Sequence, residues 1–491
     1  MRRRSLLAGV LGGTFLAVGG GALTACGTTV DTVGQVDFAR PLLIPPLADS
    51  RIDDAGRRVF TLRAQPGRRD FGVDGVTRTW GFNGDYLGPT LRARRGERVM
   101  VNVVNGLGED TSVHWHGMHV PARMDGGPHQ PVRPGATWSP TWTIDQSAAT
   151  LWYHPHPHGK TREHVNQGLA GMFIVDDDDP ALAALPHDYG VDDIPVIVQD
   201  KDFSGGRIKN SNTGERLLVN GTYGPYLEVA TDQVRLRLLN ASVSRTYAFG
   251  LADERPVQLV ATDGGRLAAP VTLSRIRLSP GERAELVVPV RAGERVVLRS
   301  FPPELGGNAI TRAFDGGRDQ FDVLELRATA TLRRGARVPA EFGALDRLDP
   351  ASAVTTRDFR LNGTNINGDE MDMGRIDAVV TRGTTEIWRV GNSDGQRHNF
   401  HVHDVRFQVL SLGGGAPPAE LSGWKDTIFL PPGAEAELIM EFADFADPEM
   451  PYMYHCHLLM HEDDGMMGQF VVVEPGQSAG RVRTVGAHEH G

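Results

Sequence analysis

Residues 82–84 read Phe-Asn-Gly, residues 219–221 read Val-Asn-Gly, and residues 361–363 read Leu-Asn-Gly. After each comes a run of alternating polar and apolar residues, then a Pro-Gly pair, then a second run. In the first copy these parts are the run ending Val103-Val104-Asn105, the pair Pro134-Gly135 and residues 138–144. In the second they are residues 235–240, Pro280-Gly281 and residues 284–290, and in the third residues 386–392, Pro432-Gly433 and residues 436–442. The Asn-Gly pairs recur about every 140 residues, an ordinary domain length. Asn-Gly and Pro-Gly both specify tight turns, because glycine accepts a positive φ and proline presets its own. Val99-Met100-Val101-Asn102-Val103 and Val234-Arg235-Leu236-Arg237-Leu238 have the period of two that belongs to strands. Long helical patterns are few. The pattern predicts an all-β chain of three tandem β-sandwich or barrel domains. The acidic run Asp176-Asp177-Asp178-Asp179 before Pro180 marks the first boundary, and the second falls near residues 334–351. The expected domains are 51–178, 188–335 and 352–475, followed by a polar tail over 476–491.

With 491 residues the chain exceeds one ordinary core, and 40% hydrophobic with 23% charged residues argues against disorder. A formal net charge of −10 argues against nucleic acid or an anionic membrane surface as partner, since both need a basic face. The beginning reads as a targeting segment over residues 1–26. Met1-Arg2-Arg3-Arg4-Ser5-Leu6-Leu7 and the glycine-rich apolar stretch to Ala22 resemble a twin-arginine export signal. Leu23-Thr24-Ala25-Cys26 resembles a lipobox, which would make a lipidated Cys26 the mature N-terminus; the plainer alternative is an ordinary signal peptide. The stretch is too short and glycine-rich for a membrane span. Residues 27–50 read as a flexible tether. The expected product is a monomer outside the cytoplasm, lipid-anchored to the outer face of the cytoplasmic membrane.

There are two cysteines, Cys26 and Cys456. If Cys26 carries lipid, Cys456 has no partner, and an exported protein must protect or use such a thiol. Its neighbours His455 and His457 point to use. No histidine lies between His187 and His398, so the middle domain has none to offer a metal. The others concentrate in His114-Trp115-His116, His154-Pro155-His156, His398-Asn399-Phe400-His401-Val402-His403 and His455-Cys456-His457 with His461. Residues two apart on a strand share a face, so each His-x-His can present two imidazoles to one place. Eight imidazoles from the first and third domains can hold several borderline-soft metal ions. Cys456 must then face the other way, where His398, His461 and Met466 can join it. Two imidazoles, a thiolate and a thioether make a blue-copper electron-transfer site. The Cys456 backbone would link that site to the second one, so electrons could pass singly to a cluster able to reduce dioxygen, which needs four.

These motifs resemble those of the multicopper oxidases, the family of laccases, bilirubin oxidases and bacterial copper-efflux oxidases, over about residues 55 to 475. The resemblance implies three cupredoxin-like Greek-key domains and four copper ions. By position, His114 and His401 would bind the type 2 copper; His116, His154, His156, His403, His455 and His457 the type 3 pair; His398, Cys456, His461 and Met466 the type 1 copper. Asp125, in Met124-Asp125-Gly126-Gly127-Pro128, and Glu462 match acidic residues that help deliver protons; the plainer reading of Asp125 is a turn cap. O2 and a small reducing substrate are the implied partners, the substrate being a phenol, an aromatic amine, a bilirubin-like compound or a low-valent metal ion. A copper-efflux oxidase carries a methionine-rich insert, which this chain lacks; Met371 and Met373 are the nearest feature, and Gln396 replaces a methionine near Asp394, which itself matches a cuprous-site aspartate. Two alternatives are a cuprous oxidase of copper tolerance and a non-catalytic relative of the cell-division type, which has lost ligands that are all present here. Copper nitrite reductase has fewer repeats. His119, His129, His158 and His164 read as surface or supporting residues, Trp115 and Trp152 as core packing, and His488 and His490 as part of the tail.

Overall fold

The computed structural model describes residues 29–484. The export signal, Cys26, His488 and His490 lie outside the described residues. The chain is all-β, as the turn spacing predicts, with short helices between strands. Three successive cores form. The first contains Phe60, Leu62, Val101, Trp115, Trp138 and Phe173. The second contains Val196, Leu236, Phe249, Leu286 and Leu324, and the third Phe359, Trp388, Phe400, Leu438 and Phe470. In each, two sheets close on one another with parallel and antiparallel neighbours. In the first, strand Arg58–Asp70 pairs parallel with Arg98–Asn105 and antiparallel with Val76–Phe82. Such mixed pairing requires chain crossovers and gives the cupredoxin-like arrangement.

Strand Arg98–Asn105 alternates buried and less buried residues as its sequence predicts. Strand Gln233–Asn240 also alternates in sequence, yet nearly all of it is buried. Its polar side, Arg235 and Arg237, meets carboxylates rather than water. The Pro-Gly turns all place glycine at positive φ: +76° at Gly135, +87° at Gly281 and +76° at Gly433. The Asn-Gly reading needs one correction. Asn83 and Asn220 themselves hold positive φ, +57° and +50°. Each side chain accepts from one neighbouring strand amide and donates to a carbonyl two residues away, Arg63 and Thr61 for Asn83, Ile197 and Pro195 for Asn220. In the third domain Asn367, at +57°, makes that same pair of bonds to Arg360 and Asp358. The structural counterpart there is therefore Asn367-Gly368, not Asn362-Gly363.

The segment read as a flexible tether is laid down as structure from Thr29 onward. The Val30 amide donates to Asp319 at 2.8 Å, Arg40–Pro41 pairs parallel with the strand Pro225–Thr231, and Leu47 bridges to Thr90 of the first domain. Phe38 and Leu42 are buried, and Leu42 joins the apolar core of the middle domain, which the local sequence does not announce. Among the described residues no helix is long and apolar enough to cross a membrane.

Candidate metal centre

Strands His114–His116 and Ala149–His154 pair antiparallel in a register that sets His154 opposite His114. In the third domain, His398–Val402 and Tyr452–His455 pair with His401 opposite His455. These cross-strand pairs confront each other across the seam between first and third domains. His114 Nε2 lies 3.5 Å from His401 Nε2, and His154 Nε2 lies 3.4 Å from His457 Nε2. His455 Nε2 lies 3.3 Å from His156 Nε2 and 3.2 Å from His403 Nε2. None of the eight rings is more than 1% exposed.

The outward nitrogens of most of these rings have partners. His403 Nδ1 meets Asp125 Oδ2 at 2.8 Å, His455 Nδ1 meets Glu462 Oε2 at 3.2 Å, and His401 Nδ1 meets the Asp426 carbonyl at 2.8 Å. His114 Nδ1 meets the Asp125 carbonyl at 3.2 Å and His154 Nδ1 that of Pro155 at 2.9 Å. A ring that donates outward keeps its inner lone pair free, which is how metal-binding imidazoles are oriented. His116 is reversed: its Nε2 meets Asp426 Oδ1 at 3.1 Å and Thr427 Oγ1 at 3.2 Å, leaving the buried Nδ1 without a partner.

Burial and the crowding of like rings keep six of these imidazoles neutral. His156 is brought down to about 4 and His457 to about 3; His116, His154, His401 and His403 are also lowered far below the ordinary value. His455 moves the other way: burial opposes its charge, but Glu462 outweighs it. Where both rings are held neutral, as at His154 and His457 with Nε2 atoms 3.4 Å apart, the inner lone pairs repel one another unless a cation sits among them. Overlapping groups of three, such as His156, His403 and His455, bring their ligand atoms within 4.8 Å of one another. That donor set fits copper.

Cys456 points to the opposite side. Strand Tyr452–His455 ends one residue earlier, but the Cys456 amide still donates to the Met466 carbonyl at 3.1 Å, so the alternation continues. Cys456 Sγ lies 3.7 Å from His398 Nδ1 and 3.6 Å from His461 Nδ1, with 3.1 Å between the two nitrogens. Burial pushes the thiol up, but hydrogen bonding to His398 and His461 outweighs it and brings Cys456 down to about 5. A thiolate is therefore available as a soft ligand. Met466 is fully buried beside them, its amide donating to the His461 carbonyl at 2.8 Å. His398 Nε2 meets Asp394 Oδ2 at 3.0 Å.

The structure thus brings together the sequence-predicted residues of each set, eight imidazoles in one and His398, Cys456 and His461 with Met466 alongside in the other. Asp125 and Glu462 flank the first set from two sides, Glu462 reaching both His156 Nδ1 at 3.5 Å and His455. His129 and His164 are buried rather than on the surface; they bond Gln469 and the pair Thr111 and Glu109. Trp115 and Trp152 are core residues. Three residues at the site carried no sequence signal: Asp426, Asn399 and Arg283. Asn399 accepts from the His457 amide at 2.5 Å, and Arg283 grips Asp426.

Residues 68–180 and 345–476 match family models described as multicopper oxidase. A multicopper oxidase of Staphylococcus haemolyticus is 34% identical over 448 residues, spanning 88% of this chain and 92% of its own. The chain belongs to the multicopper oxidase family. The cell division protein FtsP of Dickeya dadantii is 36% identical over 474 residues, covering 93% of this chain and 97% of its own. Among solved structures, the laccase-like multicopper oxidase CueO of Ochrobactrum sp. aligns with a TM-score of 0.80 and 36% identity, over 88% of this chain and 100% of that one. Its description records oxidase activity towards lignin model compounds and lignosulfonate. Membership implies copper binding, and multicopper oxidases use O2 and a reducing substrate.

Proposed function

We propose that this multicopper oxidase takes single electrons from a small reducing substrate at a type 1 copper and reduces O2 to water at a trinuclear cluster. His398, Cys456, His461 and Met466 would hold the type 1 copper, His114 and His401 the type 2, and His116, His154, His156, His403, His455 and His457 the type 3 pair, four ions in all. The observation that carries this reading is the tripeptide 455–457, whose thiol faces one donor set and whose two imidazoles face the other. Bound copper supplies the one-electron relay and the four-electron store. The residues supply the rest. His461, at 5% exposure, is the only slightly accessible ring of the two sets and gives the reductant an edge to meet. Asp125 and Glu462, both 1% exposed, hold the outer nitrogens of four cluster rings and lie where the protons for water must arrive.

The substrate class we propose is phenols, aromatic amines and bilirubin-like donors, with low-valent metal ions behind them. Met371 lies near the type 1 loop, its amide donating to the Gly465 carbonyl at 2.9 Å, but no methionine cluster accompanies it. The twin-arginine signal and Cys26 lipidation would place the enzyme outside the cytoplasm on a membrane anchor, as a monomer. A non-catalytic role is favoured by the likeness to FtsP, and the retention of all twelve ligand positions weighs against it.

The test is reconstitution. Protein loaded with copper should be blue and consume oxygen with a phenolic donor; side-by-side rates for Cu(I), Fe(II), Mn(II), a phenol and bilirubin rank the substrates. A colourless, inactive copper-loaded protein would favour the non-catalytic role. Met466→Leu should keep its copper while the type 1 potential rises, because a weak axial donor to Cu(II) is lost. A lowered potential by redox titration would contradict the assignment of Met466.

A further inference from the structure

The middle domain supplies no ligand, yet one of its turns lies against the cluster rings and reaches Cys456 through Asn399. Of the three Pro-Gly turns, Gly135 and Gly433 face solvent, whereas the middle turn, Ser279, Pro280, Gly281, Glu282 and Arg283, is wholly buried. Each residue has a partner in another domain. Asn399 Nδ2 donates to the Pro280 carbonyl at 2.8 Å and to Ser279 Oγ at 3.1 Å, while Asn399 Oδ1 lies 2.5 Å from the His457 amide and 3.5 Å from Cys456 Sγ. A Cβ on Gly281 would stand 3.1 Å from the His457 ring and 3.2 Å from that of His116. Glu282 pairs with Lys425 at 3.1 Å. Arg283 grips Asp426 with both terminal nitrogens, at 2.7 and 2.6 Å. It also donates to the carbonyls of Thr150, Gly281 and Asp263, so the fork is fixed on every side. Asp426 in turn holds His116 by the nitrogen that leaves Nδ1 facing the other rings.

Resting on the two-centre reading above, we propose that the turn 279–283 is a positioning element for both copper centres: Arg283 sets His116 through Asp426, and Ser279 and Pro280 set Cys456 and His457 through Asn399. This gives the ligand-free domain a place in the reaction. The path between centres runs through Cys456 and His457, and the turn clamps that path from one side while it fixes a cluster ring from the other. Gly281 is required because any side chain there would press on both His457 and His116, at a φ of +87° that disfavours one in any case. Lysine in place of Arg283 would keep a charge but not the two-pronged grip.

The experiment compares the copper-loaded full chain with Arg283→Ala, Arg283→Lys and Gly281→Ala. Copper content after dialysis against a chelator, the type 2 electron paramagnetic resonance signal, the blue absorption and thermal unfolding are read for each. Arg283→Ala and Gly281→Ala should lose cluster copper roughly 10- to 100-fold more readily, as expected when an outer partner of a metal ligand is removed, while the blue band persists. Arg283→Lys should recover part of the loss and show an altered type 2 signal. A double variant, Arg283→Met with Asp426→Leu, removes both buried charges together so that neither is left unpaired; it should remain folded, as thermal unfolding will read, yet still release His116 and lose cluster copper. If the folded double variant and Gly281→Ala hold cluster copper as tightly as the unsubstituted protein, the proposal is overturned. If the unsubstituted protein itself holds only a type 1 ion, the two-centre reading fails instead.

Discussion

Cys456→Ser is expected to remove the blue absorption completely and bring substrate oxidation down to background. Sulfur at this position is buried, lies within 3.7 Å of His398 Nδ1 and His461 Nδ1, and is stabilised as thiolate by both. A serine hydroxyl does not ionise near neutral pH and is a hard donor, so it replaces neither the soft ligand nor the covalent electron path. The fold should survive, because swapping a small buried thiol for a hydroxyl costs about 1–3 kcal/mol if the hydroxyl is poorly bonded, and Asn399 Oδ1 stands 3.5 Å away to accept from it. The eight cluster imidazoles are untouched, so copper content should fall by about one ion per chain rather than to zero. Metal analysis with absorption spectroscopy and oxygen uptake decides the matter. Persistent oxidation without the blue band would mean that electrons enter the cluster by a route other than residues 455–457.

That expectation was accessible from sequence because its ingredients are local. Alternation along a strand dictates that Cys456 and its flanking histidines face opposite ways, and the structure keeps that alternation even where the strand formally ends. Turn positions were legible for the same reason, since Pro-Gly favours a turn locally, although Pro66-Gly67 lies within the strand Arg58–Asp70 instead. The slip to Asn362 in place of Asn367 shows where local reading stops. Both are Asn-Gly pairs, and only the bonds of Asn367 to the neighbouring strand distinguish them. Apart from the meeting of the His-x-His pairs, non-local contacts were not legible. Arg283 meets Asp426 across 143 positions, and neither residue stands in a motif that announces the other. Arg235 and Arg237 read as the polar positions of an alternating strand, and only assembly of the domains reveals what covers them. Likewise Leu42 gave no periodic signal, because it extends another domain's core rather than building its own.

The second large effect expected concerns that covered strand face. Arg237 grips Asp193 at 2.6 and 2.9 Å and reaches Glu285 at 2.9 Å, Arg235 pairs with the other oxygen of Glu285, and Thr150 donates to Glu285 at 2.6 Å. All four charged groups are at most 5% exposed. Thr150 belongs to the strand that ends in His154, so the network ties the middle domain to a strand carrying cluster residues. Glu285→Ala leaves the buried Arg235 with only the distant carboxylate of Asp193, 4.0 Å away, and removing one member of such a group costs about 3–5 kcal/mol, against a total stability of about 5–15 kcal/mol. The variant should unfold at markedly lower denaturant concentration. Glu285→Gln keeps the shape but not the charge, and it isolates the pH dependence. Burial pushes the Glu285 carboxyl up, yet Arg235 and Arg237 outweigh burial and hold it down at about 2, against 4.5 when unperturbed. A carboxylate lowered on folding stabilises fully above its unfolded value and loses that contribution as pH falls through the folded one. Copper-free protein should therefore lose stability between about pH 5 and pH 2 more steeply than Glu285→Gln, with the two curves running parallel at higher pH. Equal slopes below pH 5 in urea titrations would show that the Glu285 charge does not stabilise this interface.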